Sequence, residues 1–327
     1  MVSDNEKAKR ILISHRLPGK HFENLLKNKG SFRVKVLKSG DNFKKEAVSF
    51  SPHGIISMLS DSVDETLMEL LPDLEVVSNY AVGFNNIDIK AAEKKGIAVT
   101  NTPGVLTDAT ADIAMLLILM TTRRALEADA FCRKGKFTGW SPELMPGRSL
   151  QEKTLGIIGL GRIGKAVALR AASFGMNILY NKREPLEKNE EVSLGVEYAG
   201  FDDIVKNSDI ISLHLPYTEN VHHLFGKTQF RKMKKTAFFI NTARGRLMDE
   251  KALCDALSGN EISAAGLDVY EYEPEITEEL KKSDKTVLFP HIGSATVETR
   301  EKMAEMVIDD CCAVLERKKA VNIVSKA

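Results

Sequence analysis

A glycine-rich turn between two elements of regular structure constrains this chain most. Thr154–Ile158 is a short apolar run that predicts a buried strand, and the sequence Gly159-Leu-Gly161-Arg-Ile-Gly164 follows it at once. A helix and a second strand are predicted after the turn. In that context Gly159 permits the tight turn, Gly161 lets the backbone approach a pyrophosphate, and Gly164 lets helix and strand pack closely. The segment predicts a dinucleotide site, with phosphates held at the helix N-terminus; an ordinary structural turn is the alternative.

The end of the second strand bears on the choice between NAD and NADP. An acid is expected there to bind the ribose 2′-OH of NAD, but this chain has Asn181, Lys182 and Arg183, and no acid until Glu184. A carboxylate would repel a 2′-phosphate, whereas a Lys–Arg pair would bind it through charge-assisted hydrogen bonds. We therefore expect a preference for NADP(H), with NAD(H) as a second cofactor; the alternative is two solvated basic residues.

The composition excludes several classes of protein. The 327 residues are enough for two domains, and a net charge of +1 gives no electrostatic case for nucleic-acid or membrane partners. Four cysteines lack metal-ligand spacing and predict reduced thiols in a cytoplasmic protein with no metal site. Met1–Arg10 is polar and does not resemble a signal peptide, and the longest apolar run, Ile113–Met120, is too short to span a bilayer.

The order of predicted elements indicates two α/β domains. Strands alternate with helices throughout, which predicts parallel sheets, and only the second half carries the glycine motif. Thr107–Lys134 predicts one long helix that connects the domains. The final amphipathic helix, Thr296–Arg317, has no strand after it, so we expect it to return to the first domain. The expected domains are 1–103 with 296–327, and 104–295 for the dinucleotide.

Three predicted strand ends in the second half carry polar side chains. They are Asn241–Gly245, which contains Arg244, Leu267–Pro274, which contains Asp268 and Glu273, and Phe289–Gly293, which contains His291. Ligands of doubly wound folds bind outside the carboxyl ends of the strands, so these ends face the same crevice as the glycine turn. An Arg, a Glu and a His are thus expected beside the nicotinamide.

This set of side chains suits hydride transfer to a 2-oxo acid. A histidine can protonate the carbonyl oxygen, and a neighbouring carboxylate favours the charged, oriented imidazolium. An arginine matches the planar carboxylate of the substrate and polarises the adjacent carbonyl. Taken from the pattern alone, Arg244 also fits a surface turn, Glu273 an exposed loop acid and His291 a strand cap.

With these motifs in view, the chain resembles the D-isomer-specific 2-hydroxyacid dehydrogenases, and most closely their glyoxylate/hydroxypyruvate reductase branch. The resemblance implies an α/β fold in which a Rossmann dinucleotide-binding domain is inserted in a flavodoxin-like substrate domain. The motifs that carry it are Asn79–Asp88, Asn101–Met120, Thr154–Gly164, Asn241–Asp249, Ala264–Pro274 and Pro290–Thr299.

The resemblance also implies residue roles. Arg244 would bind and polarise the substrate, Glu273 would pair with the histidine, and His291 would donate and accept the proton. Backbone N–H groups of Val82 and Gly83 would hold the substrate carboxylate. The implied cofactor contacts are Arg162 and Ile163 at the pyrophosphate, Asp268 at the nicotinamide carboxamide, and Pro216, Thr242 and Gly293 along the cofactor.

Three further positions bear on the cofactor, the oligomeric state and the substrate that the resemblance implies. Many NAD-dependent members have an acid where this chain has Lys182. Trp140 lies in the segment that in this branch reaches the active site of the neighbouring subunit, which implies a homodimer; an ordinary surface aromatic is the alternative. Asn85 replaces a common Asp beside the substrate loop and leaves substrate size open.

The expected function is NADPH-dependent reduction of glyoxylate or hydroxypyruvate to a D-2-hydroxy acid. The alternatives are a reductase of a bulkier 2-oxo acid, such as an aromatic pyruvate, and a nucleotide-sensing binding protein on the same fold.

Overall fold

A computed structural model describes residues 8–27 and 32–324. Its strands, numbered along the chain, are β1 Lys9–Ile13, β2 Phe32–Val36, β3 Gly54–Ser57, β4 Val76–Asn79, β5 Ala98–Thr100, β6 Thr154–Ile158, β7 Asn177–Asn181, β8 Val196–Tyr198, β9 Ile210–Leu213, β10 Phe238–Asn241, β11 Ala264–Leu267 and β12 Thr286–Leu288. Its helices are α1 Lys20–Lys27, α2 Phe43–Phe50, α3 Glu65–Glu69, α4 Ile89–Lys94, α5 Thr107–Thr122, α6 Ala125–Arg133, α7 Arg162–Ser173, α8 Lys188–Leu194, α9 Phe201–Asn207, α10 Lys227–Lys232, α11 Glu250–Ser258, α12 Glu278–Lys282 and α13 Val297–Leu315. Within the described ranges, no helix combines the length and apolarity needed to cross a bilayer.

The chain forms two compact units, one from the residues up to Leu106 together with those from Ser294 onward, the other from Thr107–Gly293. The predicted α/β architecture, with one domain inserted in the other, is confirmed. The domain limits expected from the sequence, 1–103 with 296–327 and 104–295, stay a prediction.

The first unit is built on a five-stranded parallel sheet in the order β2-β1-β3-β4-β5, which is the flavodoxin-like order. Strands β3 and β4 are buried on both faces because helices cover both sides. Helix α13 packs on β3, β4, β5 and α1 through buried side chains such as Val307, Ile308 and Cys311. The last helix therefore completes the core of the unit that begins the chain.

The second unit contains a seven-stranded parallel sheet in the order β12-β11-β10-β9-β6-β7-β8. The strand order reverses between β6 and β9. The carboxyl ends of these two strands therefore form the topological switch point of a Rossmann fold. Helix α5 packs against α7, β10 and β11 with buried Ala114, Leu117 and Ile118. The carboxyl ends of β6, β10, β11 and β12 consequently lie along one edge of the sheet.

The prediction of one continuous helix over Thr107–Lys134 is wrong. Helix α5 ends at Thr122, and Arg124 adopts a left-handed conformation with φ 54° before α6 begins. The hydroxyls of Thr121 and Thr122 donate to the carbonyls of Leu117 and Ile118, each at 2.7 Å. Such side-chain bonds within the last turn and the left-handed residue together end the helix.

Candidate active site

The glycine turn joins β6 to α7 in the way its spacing predicts. Gly159 has φ +97°, and a Cβ there would lie 2.6 Å from the carbonyl oxygen of His214. A Cβ on Gly164 would collide with the carbonyl oxygen of Gly159. Because the first bond within the helix is from the Lys165 N–H to the Gly161 carbonyl at 2.9 Å, the N–H groups of Arg162 and Ile163 remain available at the helix N-terminus.

The space around this turn fits a dinucleotide. A Cβ on Gly161 would meet no atom within 4 Å, so the turn is open where a pyrophosphate would approach. After β10, two strands away in the same sheet, the hydroxyl of Thr242 is buried and has no hydrogen-bond partner among the described residues. A buried hydroxyl without a partner costs free energy unless a ligand supplies one. Both observations suit the cofactor that the motif implies.

The end of β7 places Lys182 and Arg183 directly after the last strand residue, Asn181. Asn181 is held in place because its side-chain amide donates to the Ala199 carbonyl at 3.0 Å and its own carbonyl accepts from the Gly159 N–H at 2.9 Å. Lys182 is half-buried and Arg183 is exposed, and within the described part of the chain neither forms an ion pair with an acid. Both cations are therefore available to a ligand.

Arg244 follows β10 on a loop that is fixed by Asn241. The Asn241 side chain donates to the Arg244 carbonyl at 2.9 Å and accepts from the Ala243 N–H at 3.0 Å. Gly245 packs so tightly that a Cβ would collide with the backbone of Tyr270. Burial lowers the pKa of Arg244, while the charge of Glu273 acts in the opposite direction. The guanidinium and the Glu273 carboxylate therefore interact.

Glu273 and His291 form the central pair of the site. His291 Nδ1 lies 2.8 Å from Glu273 Oε2, and Glu273 Oε1 accepts from the Tyr270 N–H at 3.0 Å. Burial alone raises the pKa of Glu273, but the hydrogen bond and charge of His291, the Tyr270 N–H and Arg244 lower it overall. The carboxylate is thus held in its charged form, in which both of its oxygens accept hydrogen bonds.

Asp268 holds the loop that carries His291. Its two carboxylate oxygens accept from the N–H groups of Ile292 and Gly293, both at 2.7 Å. His291 has φ 56°, a left-handed conformation that costs a non-glycine residue free energy unless its neighbours enforce it. Asp268 supplies that restraint on the following peptide groups. The sequence suggested only a contact with the carboxamide for Asp268, and this positioning role was missed.

Sequence reasoning also missed Tyr270 and His214. The Tyr270 hydroxyl donates to the Phe289 carbonyl at 2.8 Å and so ties the Glu273 loop to the strand that leads to His291. His214, two residues before Pro216, lies against the glycine turn, and burial lowers its pKa to about 4. Only the strand-end positions of these residues could have indicated them, since neither type is diagnostic.

In the first unit, Val82 and Gly83 follow β4. Their carbonyls accept from the Asn101 and Asn79 side chains at 2.8 and 2.7 Å. Their N–H groups have no acceptor among the residues that the structure describes. With the carbonyls held by asparagines, the two N–H groups remain as backbone donors on this loop for a ligand such as a carboxylate.

A cavity of about 730 Å³ opens within the first unit at the carboxyl ends of β1, β3 and β4. Its lining includes Leu17, Met58, Tyr80, His15, Arg16 and Arg300. Tyr80, which lines the cavity, is two residues before Val82 in the sequence. Asn85, on the same loop, is exposed.

Trp140 lies in the irregular segment after α6 and is 82% exposed. Two other apolar side chains of that segment, Phe137 and Leu144, are also exposed. The structure of one chain does not bring Trp140 into the group formed by Arg244, Glu273 and His291.

Comparison with known proteins identifies the family to which this chain belongs. Residues 115–293 match the family described as D-isomer specific 2-hydroxyacid dehydrogenase, NAD binding domain. A glyoxylate reductase from Thermococcus litoralis is 48% identical over 276 residues, which cover 83% of each chain. This chain belongs to the D-isomer-specific 2-hydroxyacid dehydrogenase family. It groups with the glyoxylate reductases, so the family resemblance found in the sequence is confirmed.

Solved structures of 2-hydroxyacid dehydrogenases share the fold over nearly the whole chain. The TT0316 protein of Thermus thermophilus is 39% identical, with a TM-score of 0.90 over 96% of this chain and 99% of its own. An NADPH-dependent glyoxylate/hydroxypyruvate reductase of Sinorhizobium meliloti, solved with NADP and malonate, is 32% identical, with a TM-score of 0.85 over 97% of each chain. The present member of the family is therefore an oxidoreductase with a nicotinamide dinucleotide cofactor.

The open space at Gly161 allows a test that separates cofactor binding from folding. We expect Gly161→Val to weaken dinucleotide binding about tenfold or more, because the side chain would occupy the approach of the pyrophosphate. The thermal midpoint should stay near that of the wild type, since a Cβ there meets no atom of the chain within 4 Å. Fluorescence titration and a thermal melt measure the two quantities.

Gly164→Ala serves as the contrasting control. It should lower the thermal midpoint, because its Cβ would collide with the Gly159 carbonyl oxygen. Unchanged dinucleotide affinity in Gly161→Val would contradict the assignment of the turn.

Proposed function

We propose that this enzyme reduces small 2-oxo acids, glyoxylate and hydroxypyruvate foremost, to D-2-hydroxy acids with NADPH. The observation that carries the proposal is the His291–Glu273 pair at 2.8 Å, with Arg244 acting on the same carboxylate, on the sheet edge that holds the glycine turn. The names of the similar glyoxylate reductases support the substrate class. Catalytic roles for these three residues belong to the proposal.

When bound, the reduced nicotinamide supplies the hydride that adds to the carbonyl carbon. His291 supplies the proton to the carbonyl oxygen. Its Nδ1 is occupied by Glu273, so Nε2 is the nitrogen left for the substrate. Glu273 keeps the ring oriented, so that Nε2 is directed to the substrate while Nδ1 stays hydrogen-bonded.

The substrate carboxylate is assigned to Arg244, whose planar guanidinium matches it. In the first unit, the N–H groups of Val82 and Gly83, which have no acceptor among the described residues, are proposed to donate to a carboxylate. Arg244 also polarises the carbonyl, because its positive charge stabilises the oxygen as negative charge develops on it. Asp268, Pro216, Thr242 and Gly293 are assigned to cofactor contacts on the same sheet edge.

The primary test is NADPH oxidation measured with glyoxylate, hydroxypyruvate and phenylpyruvate. We expect kcat/KM to be highest for the two small acids. His291→Ala should lower kcat by about 100-fold or more, because the proton donor is lost, with little change in NADPH affinity. His21→Ala, which changes an exposed histidine paired with Asp309, is the matched control and should leave kcat unchanged.

Tight NADPH binding without oxidation in the presence of any 2-oxo acid would favour the nucleotide-sensing alternative. Near-wild-type turnover by His291→Ala would count against the mechanism itself.

The Glu273–His291 pair predicts that the carboxylate acts through the orientation of the histidine ring. Glu273→Gln keeps the size of the side chain but removes the charged acceptor beside His291 Nδ1, so kcat should fall by about tenfold or more with little change in NADPH affinity. The neighbouring exposed acid provides a control, Glu275→Gln, which should leave kcat unchanged. A wild-type kcat in Glu273→Gln would refute the coupling.

The preference for NADPH over NADH is assigned to Lys182 and Arg183. Both cations follow β7 and lack an ion-pair partner among the described residues, which leaves their charge available to a 2′-phosphate. The family description speaks of NAD, whereas the Sinorhizobium enzyme is described as NADPH-dependent. The charge at this strand end is what favours NADPH here.

Replacing Lys182 by aspartate should reverse the order of the cofactors. A hydrogen bond to a charged group contributes about 1.5–3 kcal/mol, so kcat/KM with NADPH should fall by about tenfold to 100-fold. The value with NADH should rise, because a carboxylate can accept from the ribose 2′-OH. Lys206→Asp, at an exposed position of α9, is the matched control. If the NADPH/NADH ratio does not move, the 2′-phosphate is bound elsewhere.

Trp140 is proposed to reach the substrate of the partner subunit in a homodimer. Trp140 is 82% exposed, and Phe137 and Leu144 of the same segment are exposed as well. A group of exposed apolar side chains marks an interaction surface, which a second copy of the chain would cover. Mixed dimers of His291→Ala with Trp140→Ala should recover activity that each variant lacks alone. The recovery is expected because one site then combines an intact His291 with the indole of the other chain. Absence of recovery in verified mixed dimers would refute the arrangement.

A reductase of a bulkier 2-oxo acid is the second candidate, because the first unit contains a cavity of about 730 Å³. Leu17, Met58 and Tyr80 contribute apolar surface to its lining, which suits a large side chain. Higher kcat/KM for phenylpyruvate than for hydroxypyruvate in the same assay would select this candidate.

A cytoplasmic location is proposed from the thiols. All four cysteines are free, and burial raises the pKa of Cys254, Cys311 and Cys312. Unpaired thiols suit a reducing compartment. Fractionation of the source cells, with the protein followed by antibody, tests the location.

A further inference from the structure

A cluster of two histidines and a glutamate lies in the second unit outside the group formed by Arg244, Glu273 and His291. His222 and His223 are in the loop between β9 and α10, and Glu271 follows β11. One ligand atom from each of the three side chains lies within 4.8 Å of the other two. Imidazole nitrogens and a carboxylate oxygen are the donors that zinc and neighbouring divalent transition ions prefer.

The backbone holds His223 in an unusual conformation that directs its ring to the glutamate. His223 has φ 49°, and its N–H donates to the Arg246 carbonyl at 3.0 Å. Two residues later, fully buried Phe225 anchors the loop and donates to the Leu247 carbonyl at 3.0 Å. The backbone position of His223 is thus fixed, and the Nε2 of its ring lies 2.6 Å from Glu271 Oε1.

Glu271 is a buried carboxylate with one oxygen committed to the backbone. Its Oε2 accepts from the Glu250 N–H at 3.2 Å, and its own N–H donates to Glu250 Oε2 at 3.0 Å. The other oxygen faces the histidines. Two buried carboxylates so close together concentrate negative charge, and that charge favours a bound cation.

The second histidine stacks on the first. The rings of His222 and His223 are 3.9 Å apart between centroids with an interplanar angle of 22°. The Tyr217 hydroxyl lies 3.3 Å from His222 Nδ1 and 3.2 Å from Glu219 Oε1. An outer partner on one imidazole nitrogen orients the ring and leaves the other nitrogen for a ligand.

We propose that His222, His223 and Glu271 bind a divalent transition-metal ion of the zinc type. Ligand atoms around a tetrahedral ion at about 2.1 Å lie roughly 3.4 Å from one another, and the three ligand atoms here already lie within 4.8 Å. Binding therefore requires a rotation that turns one histidine ring out of the stack and directs both imidazole nitrogens to the ion. Three protein ligands leave a fourth position for water. Arg246 is the nearby cation and interacts with Tyr217, while Glu219, Glu250 and Glu271 outweigh it in charge.

Such an ion would join the loop after β9 to the loop after β11. Glu271 is two residues from Glu273, and the backbone at Tyr270 and Glu271 also contacts Gly245. A bound ion would restrain the loop that carries Glu273 without contacting the Glu273–His291 pair. The site therefore acts on stability and loop order, and does not supply the reaction with a metal.

The test uses full-length, tag-free protein that has been treated with chelator. Calorimetric titration with Zn²⁺ should give one site per chain, and Co²⁺ should produce the visible absorption of a four-coordinate ion. Zn²⁺ should also raise the thermal midpoint, because an ion that binds only the folded state stabilises it. His222→Ala and His223→Ala should each remove the Co²⁺ band and the shift in midpoint.

His21→Ala is again the matched control, because it removes a histidine that pairs with a single carboxylate, Asp309, at 2.6 Å. It should keep the one-site titration and the Co²⁺ band. Glu271→Gln is measured as well and should also lose the Co²⁺ band. If loss of this buried carboxylate prevents folding, the two histidine variants still decide the test. No binding to the wild type, or equal binding to both histidine variants, would show that His223 and Glu271 form a plain ion pair and would overturn the proposal.

Discussion

The arrangement of the second unit depends on one buried carboxylate. Burial raises the pKa of Asp268, and the N–H groups of Ile292 and Gly293 together with the charge of His291 act against that rise. Because both oxygens accept backbone hydrogens at 2.7 Å, the carboxylate fixes the peptide groups that follow His291. The left-handed conformation of His291 persists because this restraint offsets its cost. Without the carboxylate of Asp268, the backbone of His291 would not be restrained in the position that places its imidazole beside Glu273.

Neighbouring strand ends are coupled by contacts that admit little change. Gly245 lies against the backbone of Tyr270 with no room for a Cβ, and the Tyr270 hydroxyl donates to the Phe289 carbonyl. The loop after β11 therefore contacts both the loop after β10 and the loop after β12. These contacts hold Arg244, Glu273 and His291 in a fixed arrangement. Parallel strands bring these loops to one edge, and the contacts between them determine the distances on which proton transfer depends.

The sequence predicted those parts of the fold that depend on local patterns. The glycine turn and the strand ends at Arg244, Glu273 and His291 were found because glycine spacing and polar residues after apolar runs can be recognised in the sequence itself. The three-residue edge strand β8 was missed, since only Val196 in it is buried and it carries no alternation. The cluster of His222, His223 and Glu271 was missed as well. His223 and Glu271 are 48 residues apart in the sequence, and only the order of the strands in the sheet brings them together.

Two histidines of the second unit show how their surroundings distinguish one imidazole from another. His214 lies beside the glycine turn, its Nε2 is 2.8 Å from the Ser212 hydroxyl, and burial lowers its pKa to about 4, so it stays uncharged at neutral pH. His291, by contrast, has a carboxylate oxygen 2.8 Å from its Nδ1, which orients the ring and leaves Nε2 for a ligand. The same side chain is thus structural at one strand end and suited to proton donation at another, and the difference lies in the partner and not in the residue.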